Sequence, residues 1–321
     1  MNVSVIGAGA FGTALAIRLA DGGRQVVLWA RDAGAASAMA THRENTARLP
    51  GVTLPPQVIP TADVGRAARA GTILLAIPMQ GLSGFLGQYG ELLRGRRLVA
   101  CCKGTDLKTL QGPTCLIAAH VPGAVPALLT GPSFAADIAR GLPAALTLAC
   151  RSEHDCAALQ DQLSAPGLRL YRTTDTTGAE LGGALKNVIA IACGITIGAG
   201  LGESARAAVM TRGYAEMKRL AAGLGGLPET LSGLSGFGDL ALTCTSRRSR
   251  NYRFGLALGA GEGFDAAVTV EGAATAKAVC RLARERSIDM PIATLIAAIL
   301  EGEATVTEAV ATLMARPPGK E

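Results

Sequence analysis

Short apolar runs alternate with helix-forming segments over the first half of the chain, and turn residues bound each run. Runs that are apolar at every position favour parallel strands covered on both faces. A helix-forming segment over residues 10–20 follows the first run. This alternation predicts a doubly wound α/β domain. The predicted strands are residues 3–6, 25–29, 72–77, 98–102, 126–129, 144–149 and 168–172.

The pattern changes after Asp175. Thr177 and Glu180 have the spacing of a capping box, and a long apolar segment over residues 181–202 follows them. Helix-forming segments and glycine-rich turns continue from there to the end of the chain. We therefore predict an α/β domain over residues 1–175 and an all-helical domain over residues 176–321.

The apolar segment 181–202 is about long enough to span a bilayer, which needs ~20 apolar residues. Lys186, Asn187 and many glycines lie inside it, so we interpret it as a core helix without integral membrane contact. The first residues lack the basic region and long apolar stretch of a signal peptide. The eight cysteines include no C-x-x-C pair. We expect a cytoplasmic protein with neither a metal site nor a disulfide framework.

The sequence carries 31 basic and 25 acidic side chains, a formal net charge of +6. A mildly basic surface can steer anionic small molecules toward a site. Nucleic acid is not an expected partner, because the densest basic cluster, residues 247–253, is short. A solvated, arginine-rich surface explains the charge equally well.

Three glycines form a G-x-G-x-x-G motif between the first predicted strand and the first predicted helix: Gly7, Gly9 and Gly12. In a dinucleotide-binding Rossmann domain the first permits a tight turn, the second lets a pyrophosphate approach, and the third lets the helix pack closely. The N-terminus of the helix attracts the diphosphate. The context favours a dinucleotide site over a glycine turn without a ligand.

The end of the second predicted strand offers both an arginine and a carboxylate, Arg31 and Asp32. A carboxylate there favours the ribose hydroxyl of NAD, whereas an arginine accepts the 2′-phosphate of NADP. Arg31 comes first after the strand, so NADPH is the predicted cofactor and NAD is the alternative.

Lys186 is the best candidate for acid–base chemistry. His42, His120 and His154 lie outside any glycine-rich or polar constellation, and we interpret them as surface residues. Lys186 is the only charged residue in the apolar segment. Burial lowers the pKa of an ammonium group and lets it exchange protons near neutral pH. The alternative is a lysine that reaches solvent or pairs with a carboxylate such as Glu180.

Two further candidates belong to the predicted helical domain. Asp239 either orients Lys186 or simply caps a helix. The run Ser249, Arg250 and Asn251 places a guanidinium between two hydrogen-bonding side chains. Such a run suits a phosphate, and it equally suits a solvated basic loop.

Lys103, Gly131 and Ser133 follow two of the predicted strands. Open α/β sheets bind ligands at the carboxyl ends of their strands. These residues are therefore candidates for substrate binding, although each also suits a plain surface loop.

Together these segments resemble the bacterial NAD(P)-dependent glycerol-3-phosphate dehydrogenase family over nearly the whole chain. The first motif is generic to Rossmann enzymes, whereas the joint set is specific. Ala10 stands where the family often has serine, and Phe11 where it often has tryptophan or tyrosine. The matching segments are GAGAFGTALA (7–16), NTARLPG (45–51), KG (103–104), GPSFA (131–135), GALKNV (183–188), GDL (238–240), SRN (249–251) and VEG (270–272).

The resemblance implies a Rossmann domain followed by a helical domain like that of 6-phosphogluconate dehydrogenase. It also implies interconversion of dihydroxyacetone phosphate, a phosphorylated three-carbon ketone, and sn-glycerol 3-phosphate, which feeds glycerophospholipid synthesis. A homodimer is compatible with it. The implied catalytic residues are Lys186, Asp239 and Lys103. The implied substrate ligands are Lys103, Gly131, Ser133, Lys186, Asp239, Ser249, Arg250 and Asn251. The implied cofactor ligands are Gly7, Gly9, Ala10, Phe11, Gly12, Arg31, Lys103, Ala135, Arg250 and Glu271.

Two other functions remain open at this point. A ketopantoate or β-hydroxyacid reductase would share the architecture without needing a phosphate group at residues 249–251. A non-catalytic nucleotide sensor would keep the glycine motif and would need neither Lys186 nor Asp239.

Overall fold

The computed structural model describes residues 3–266 and 268–315, which fold as two compact units. One unit contains the chain up to Lys103 together with Gln111–Glu180. The other contains Gly104–Leu110 together with the chain from Leu181 onwards. The second unit therefore includes a short loop that interrupts the first unit in the sequence.

The first unit is built on strands, as the apolar runs predict. Its described residues form β1 (Val3–Ile6), β2 (Val26–Trp29), β3 (Glu44–Asn45), β4 (Leu49–Thr53), β5 (Val58–Thr61), β6 (Thr72–Leu75), β7 (Arg97–Ala100), β8 (Val125–Thr130), β9 (Ala144–Cys150) and β10 (Leu168–Thr173).

Eight strands form one sheet in the order β10-β9-β8-β7-β6-β1-β2-β5, and β3 pairs with β4 separately. β1 lies between β2 and β6 and is parallel to both. Alternate side chains of one strand enter different cores: Leu74 joins one apolar cluster, whereas Ile73 and Leu75 join another. Both faces of the sheet are therefore covered, which confirms the predicted doubly wound architecture.

All seven predicted strands are present, with ends that differ by up to two residues from the prediction. β3, β4 and β5 were missed. β4 includes Pro50 and Gly51, and β5 includes Pro60, residue types that weaken the strand signal. Parallel pairing is wrong for β8 and β9, which are antiparallel, with Leu128 opposite Ala149. β9 and β10 are parallel to each other and antiparallel to the other strands of the sheet.

Helices connect these strands and pack on the sheet, and a 3₁₀ turn over Gly90–Leu93 follows the fourth of them. They are α1 (Ala10–Asp21), α2 (Ala33–His42), α3 (Val64–Ala68), α4 (Met79–Tyr89), α5 (Pro113–His120), α6 (Ala135–Ala139) and α7 (Glu153–Leu163).

The described part of the second unit contains helices and no strand, which confirms the predicted helical architecture for those residues. α8 (Thr176–Gly198) begins in the first unit and continues into the second. A π-helical turn over Leu234–Gly238 precedes α11. The remaining helices are α9 (Gly202–Gly223), α10 (Pro228–Ser232), α11 (Asp239–Thr245), α12 (Arg250–Ala260), α13 (Glu271–Glu285), α14 (Pro291–Glu301) and α15 (Val306–Met314).

α8 is the central helix of the second unit. Among the described helices it alone is long and apolar enough to cross a membrane, yet 89% of its most apolar window is buried inside the protein. Leu185, Val188 and Ile191 are almost completely inaccessible to solvent. The apolar character of α8 is therefore explained by protein packing, as predicted for a core helix.

The predicted capping box at Thr177 and Glu180 is wrong. The carboxylate of Asp175 accepts a hydrogen bond from the backbone N–H of Gly178 at 2.8 Å, and this side chain caps α8. The carboxylate of Glu180 instead accepts from the backbone N–H of Thr114 at 2.7 Å, at the start of α5. Burial raises the pKa of Glu180 above its ordinary value.

Candidate active site

The three motif glycines play three different roles at the end of β1. Gly7 has a φ of +114°, which only glycine adopts readily, and it turns the chain toward α1. A side chain on Gly12 would begin 2.9 Å from the Cβ of Ala76, so glycine is needed there for close packing. A side chain on Gly9 would meet nothing within 4 Å. The loop thus leaves open space next to the N-terminus of α1, which fits the diphosphate of a dinucleotide.

Asn45 fixes this glycine loop from behind. Its amide nitrogen donates to the backbone carbonyl of Ala8 at 3.0 Å and to the hydroxyl of Thr13 at 2.7 Å. The side chain is buried. The sequence offers Asn45 only as part of a family motif. Its supporting role has no local signal, because the carbonyl that it contacts lies 37 residues away in the sequence.

The two charged residues after β2 have different surroundings. The carboxylate of Asp32 accepts a hydrogen bond from the backbone N–H of Ala35 at 2.6 Å and caps α2. Arg31 is exposed at the end of the strand. The carboxylate is therefore engaged in a helix cap, whereas the guanidinium is accessible to an anion.

Lys103, Gly131 and Ser133 come together at the carboxyl ends of β7 and β8. The ammonium of Lys103 donates to the carbonyl oxygen of Gly131 at 3.1 Å, and the hydroxyl of Ser133 donates to the same oxygen at 3.0 Å. Gly131 has a φ of +130°, which turns the chain sharply after β8. Ala135 follows as the first residue of α6. A positive charge and a hydroxyl are thus held close together at the ligand-binding edge of the sheet.

Lys186 and Asp239 form a buried ion pair in the second unit. The ammonium lies 2.6 Å from a carboxylate oxygen of Asp239 and donates to the hydroxyl of Thr243 at 2.8 Å. That hydroxyl donates in turn to the backbone carbonyl of Asp239 at 2.6 Å. The exposed fractions of the Lys186 and Asp239 side chains are 9% and 1%. Sequence reasoning missed Thr243, although it lies one helical turn after Asp239.

The π-helical turn brings Asp239 close to α8. A Cβ added to Gly182, one helical turn before Lys186, would lie 3.1 Å from the Cα of Gly236 in that turn. Glycine at position 182 lets the two backbones approach closely, whereas a Cβ on Gly236 would meet the backbone of Leu231. Asp239 is the first residue of α11, yet its carboxylate faces Lys186, so helix capping does not explain it.

The start of α12 carries the run predicted to bind a phosphate. Ser249 caps the helix, since its hydroxyl accepts from the backbone N–H of Tyr252 at 3.2 Å. Arg250 is exposed in the first turn. The buried amide of Asn251 donates to the side-chain oxygen of Asn187 at 3.0 Å and accepts from the backbone N–H of Gly272 at 2.9 Å.

These bonds connect three chain segments that lie far apart in the sequence. Asn187 directly follows Lys186, Asn251 directly follows Arg250, and Gly272 directly follows Glu271 at the start of α13. The structure thus joins the residue after the acid–base candidate and the residue after the phosphate candidate by hydrogen bonds within the second unit. Asn187 was not predicted as a site residue, although it is a polar residue inside the apolar segment and directly follows Lys186.

Histidine and metal chemistry find little support in the described residues. His42 and His154 are exposed, and His120 is half-buried, with ring nitrogens near the Ser83 hydroxyl at 3.2 Å and the Leu116 carbonyl at 3.0 Å. No group of three or more His, Cys, Asp or Glu side chains in this part of the chain is arranged to hold a metal ion.

Two family models match the chain. The model of the N-terminus of NAD-dependent glycerol-3-phosphate dehydrogenase matches residues 2–156, and that of the C-terminus matches residues 175–311. A glycerol-3-phosphate dehydrogenase, NAD(P)+, from Cereibacter sphaeroides is 62% identical over 317 residues, which cover 98% of each chain.

Solved structures give the same picture. The glycerol-3-phosphate dehydrogenase of Coxiella burnetii aligns with a TM-score of 0.92 and 34% identity, covering 98% of this chain and 99% of that one. A ketopantoate reductase of Ralstonia eutropha aligns with a TM-score of 0.63 and 16% identity, covering 97% and 100%. The second likeness is one of fold alone.

Proposed function

The chain belongs to the NAD-dependent glycerol-3-phosphate dehydrogenase family, and from this premise we propose that it interconverts dihydroxyacetone phosphate and sn-glycerol 3-phosphate. The cofactor is a nicotinamide dinucleotide, which supplies or accepts the hydride when it is bound. The observation that carries the proposal is the buried pair of Lys186 and Asp239, joined through Asn187 and Asn251 to an arginine suited to a phosphate.

Lys186 is the acid–base residue of this reaction. During ketone reduction its ammonium donates a proton to the oxygen of the former carbonyl group, and during oxidation the neutral amine takes that proton back. The carboxylate of Asp239 stabilises the ammonium form and, with Thr243, holds its direction. Lys103 is the third proposed catalytic residue, and it contributes a positive charge.

Arg250 binds the phosphate group of the substrate. A guanidinium forms two parallel hydrogen bonds to a phosphate, and its exposed position at the N-terminal turn of α12 leaves it accessible to one. Asn251 supports it, with part of its amide already committed to Asn187. The other proposed substrate ligands are Gly131, Ser133 and Ser249.

The glycine loop and the end of β2 hold the dinucleotide. The open space at Gly9 takes the diphosphate, while Arg31 takes the 2′-phosphate of NADP. The exposed guanidinium of Arg31 supports a preference for NADPH, while Asp32 caps α2 through one of its two carboxylate oxygens. NAD is the alternative cofactor. Further proposed contacts come from Gly7, Ala10, Phe11, Gly12, Lys103, Ala135, Arg250 and Glu271.

We also propose the cellular setting that this reaction implies. The enzyme acts in the cytoplasm, and its glycerol 3-phosphate feeds glycerophospholipid synthesis. Its partner is the small phosphorylated ketone, with neither nucleic acid nor the membrane interior involved. The packing of α8 inside the protein supports the last point. A homodimer is compatible with this role.

A substrate panel tests the proposal. Purified protein is mixed with dihydroxyacetone phosphate and with ketopantoate, each with NADPH and separately with NADH, and the nicotinamide absorbance is followed. We expect rapid oxidation with the phosphorylated ketone, faster with NADPH than with NADH. Turnover of ketopantoate alone would assign the chain to the other reductase class. No turnover with either ketone would favour a nucleotide sensor.

A further inference from the structure

Helices α8 and α12 pack backbone against backbone. A Cβ added to Gly194 would lie 2.8 Å from the backbone nitrogen of Leu256 and 2.9 Å from the Cα of Gly255, distances that ordinary side chains do not reach. Two glycines spaced four residues apart on each helix make this approach possible, since such residues share one helix face. We call these four residues the glycine seam: Gly194, Gly198, Gly255 and Gly259.

The seam is rigid because backbone atoms form both of its sides. A side chain on Gly255 would overlap the carbonyl oxygen of Ile191, and one on Gly198 would overlap that of Leu256. Neither carbonyl can rotate away without breaking its helix. The whole of α12 would have to move to make room for a methyl group.

The seam ends at the residues proposed to bind the substrate. Asn187 lies seven residues before Gly194, two helical turns away on the same face of α8. Its hydrogen bond to Asn251 continues the contact between the two helices to the first turn of α12. Arg250 directly precedes Asn251, and Lys186 directly precedes Asn187.

We propose that the glycine seam is a positioning device for substrate specificity, an inference that rests on the proposed function. It sets the distance between Lys186 on α8 and Arg250 on α12. In dihydroxyacetone phosphate only one carbon and one oxygen separate the carbonyl carbon from phosphorus. The guanidinium and the ammonium must therefore keep a fixed spacing to bind both ends of the substrate. Gly194 and Gly255 act through Arg250 and are positioning residues.

The expected displacement is large enough to matter. To bring an added methyl group from overlap to ordinary van der Waals contact, α12 must shift by on the order of 1 Å. A misplacement of about 1 Å can cost about 10²-fold in rate when it separates groups that orient a substrate.

The test compares Gly194→Ala and Gly255→Ala with wild type on two ketones, dihydroxyacetone phosphate and dihydroxyacetone, which lacks the phosphate. We expect kcat/KM for the phosphorylated ketone to fall by roughly 10- to 100-fold, mainly through KM. Activity on dihydroxyacetone, measured at saturating NADPH, should stay unchanged. The preference for the phosphorylated substrate should therefore shrink by the same factor.

Gly213→Ala is the matched control. A Cβ there would lie 2.9 Å or less from the Ile189 side chain on α8, so this glycine on α9 is also crowded, but by a side chain of α8 and not by the backbone of α12. Gly213→Ala should lower stability without changing the ratio of the kcat/KM values for the two ketones. Thermal unfolding of every variant separates lost stability from lost positioning.

Equal losses on both ketones in the seam variants would overturn the proposal and leave the seam a purely structural contact. If Gly194→Ala and Gly255→Ala do not fold, Gly198→Ala at the end of α8 takes their place. A ratio of kcat/KM values for the two ketones equal to that of wild type would then overturn the proposal. A wild-type protein that shows no preference for the phosphorylated ketone would instead contradict the proposed function.

Discussion

The ammonium of Lys186 lies 2.6 Å from the carboxylate of Asp239, in surroundings almost closed to water. A carboxylate at this distance stabilises the charged lysine against the cost of burial. The pair therefore keeps a proton available inside an apolar helix.

Replacing Lys186 by methionine should remove the proton donor while keeping most of the volume of the side chain. We expect kcat for ketone reduction to fall by ~10²–10⁴-fold, with the Kd for NADPH unchanged because the glycine loop is untouched. Steady-state kinetics and fluorescence titration of NADPH measure the two effects. Lys277→Met, on a half-exposed lysine paired with Glu301, is the control. Near-normal turnover in the Lys186 variant would exclude it as the donor.

Asp239→Asn should leave a buried ammonium without its counter-charge. Breaking a buried pair in this way typically costs about 3–5 kcal/mol in free energy of unfolding. Urea unfolding tests this point. Glu301→Gln breaks the exposed pair with Lys277 and should cost at most about 1 kcal/mol. Equal losses in the two variants would contradict the special status of the buried pair.

Arg31→Ser should change the choice of cofactor. Losing a charged hydrogen bond of about 1.5–3 kcal/mol should raise the KM for NADPH by roughly 10- to 100-fold and leave the KM for NADH unchanged. Asp32→Ala instead removes the cap of α2, at a cost of about 1 kcal/mol in stability, and should not change the ratio of the two KM values. An unchanged preference in the Arg31 variant would exclude that residue from phosphate recognition.

Glu216 should make the stability of the second unit depend on pH. Its buried carboxylate accepts hydrogen bonds from the backbone N–H groups of Ile292 at 2.7 Å and Ala293 at 3.2 Å. Burial raises its pKa from the ordinary value of 4.5 to about 7. The folded chain then binds this proton more tightly than the unfolded chain, so the contribution is complete at low pH and is lost between about pH 4.5 and 7.

The test is Glu216→Gln, measured by chemical unfolding between pH 5 and 8. The uncharged amide can still accept a hydrogen bond, so wild type should lose stability relative to the variant as pH rises. Glu303→Gln changes an exposed carboxylate and serves as the control. A constant difference between wild type and the Glu216 variant across this range would contradict the raised pKa.

The sequence predicts most of the fold because its strong local signals, the apolar runs and the turns that bound them, agree with the elements that the whole chain forms. The apolar runs at β1, β6 and β8 are short, continuous and bounded by turns, which favours buried strands over helices. The direction of β9 could not be predicted, since apolar periodicity is the same for either direction. The capping box was predicted wrongly because the spacing of Glu180 from Thr177 is only a local signal. The hydrogen-bond partner of Glu180 is Thr114, which lies 66 residues away in the sequence.

The sequence singles out candidate site residues by their type, and it misses the contacts that support them. Lys186 stands out because a charge in an apolar helix is costly and needs a reason. Thr243 is a common polar residue on a helix, and nothing local shows that its side chain faces inward; Asn187 lies in the apolar helix, but its partner Asn251 is 64 residues away. Such supporting residues become visible only when the partner of each buried polar atom is known.

The loop Gly104–Leu110 shows that domain borders in sequence and in space differ for this protein. The loop belongs to the second unit, where Arg281 on α13 donates to the carbonyls of Leu107 at 3.5 Å and Lys108 at 3.3 Å. The polypeptide therefore passes between the units three times instead of once. A fragment cut near residue 175 would keep this loop without the helix that anchors it. Such a fragment does not represent the first unit well. Among the proposed site residues, Lys103 directly precedes the loop, so its position would be the first to change.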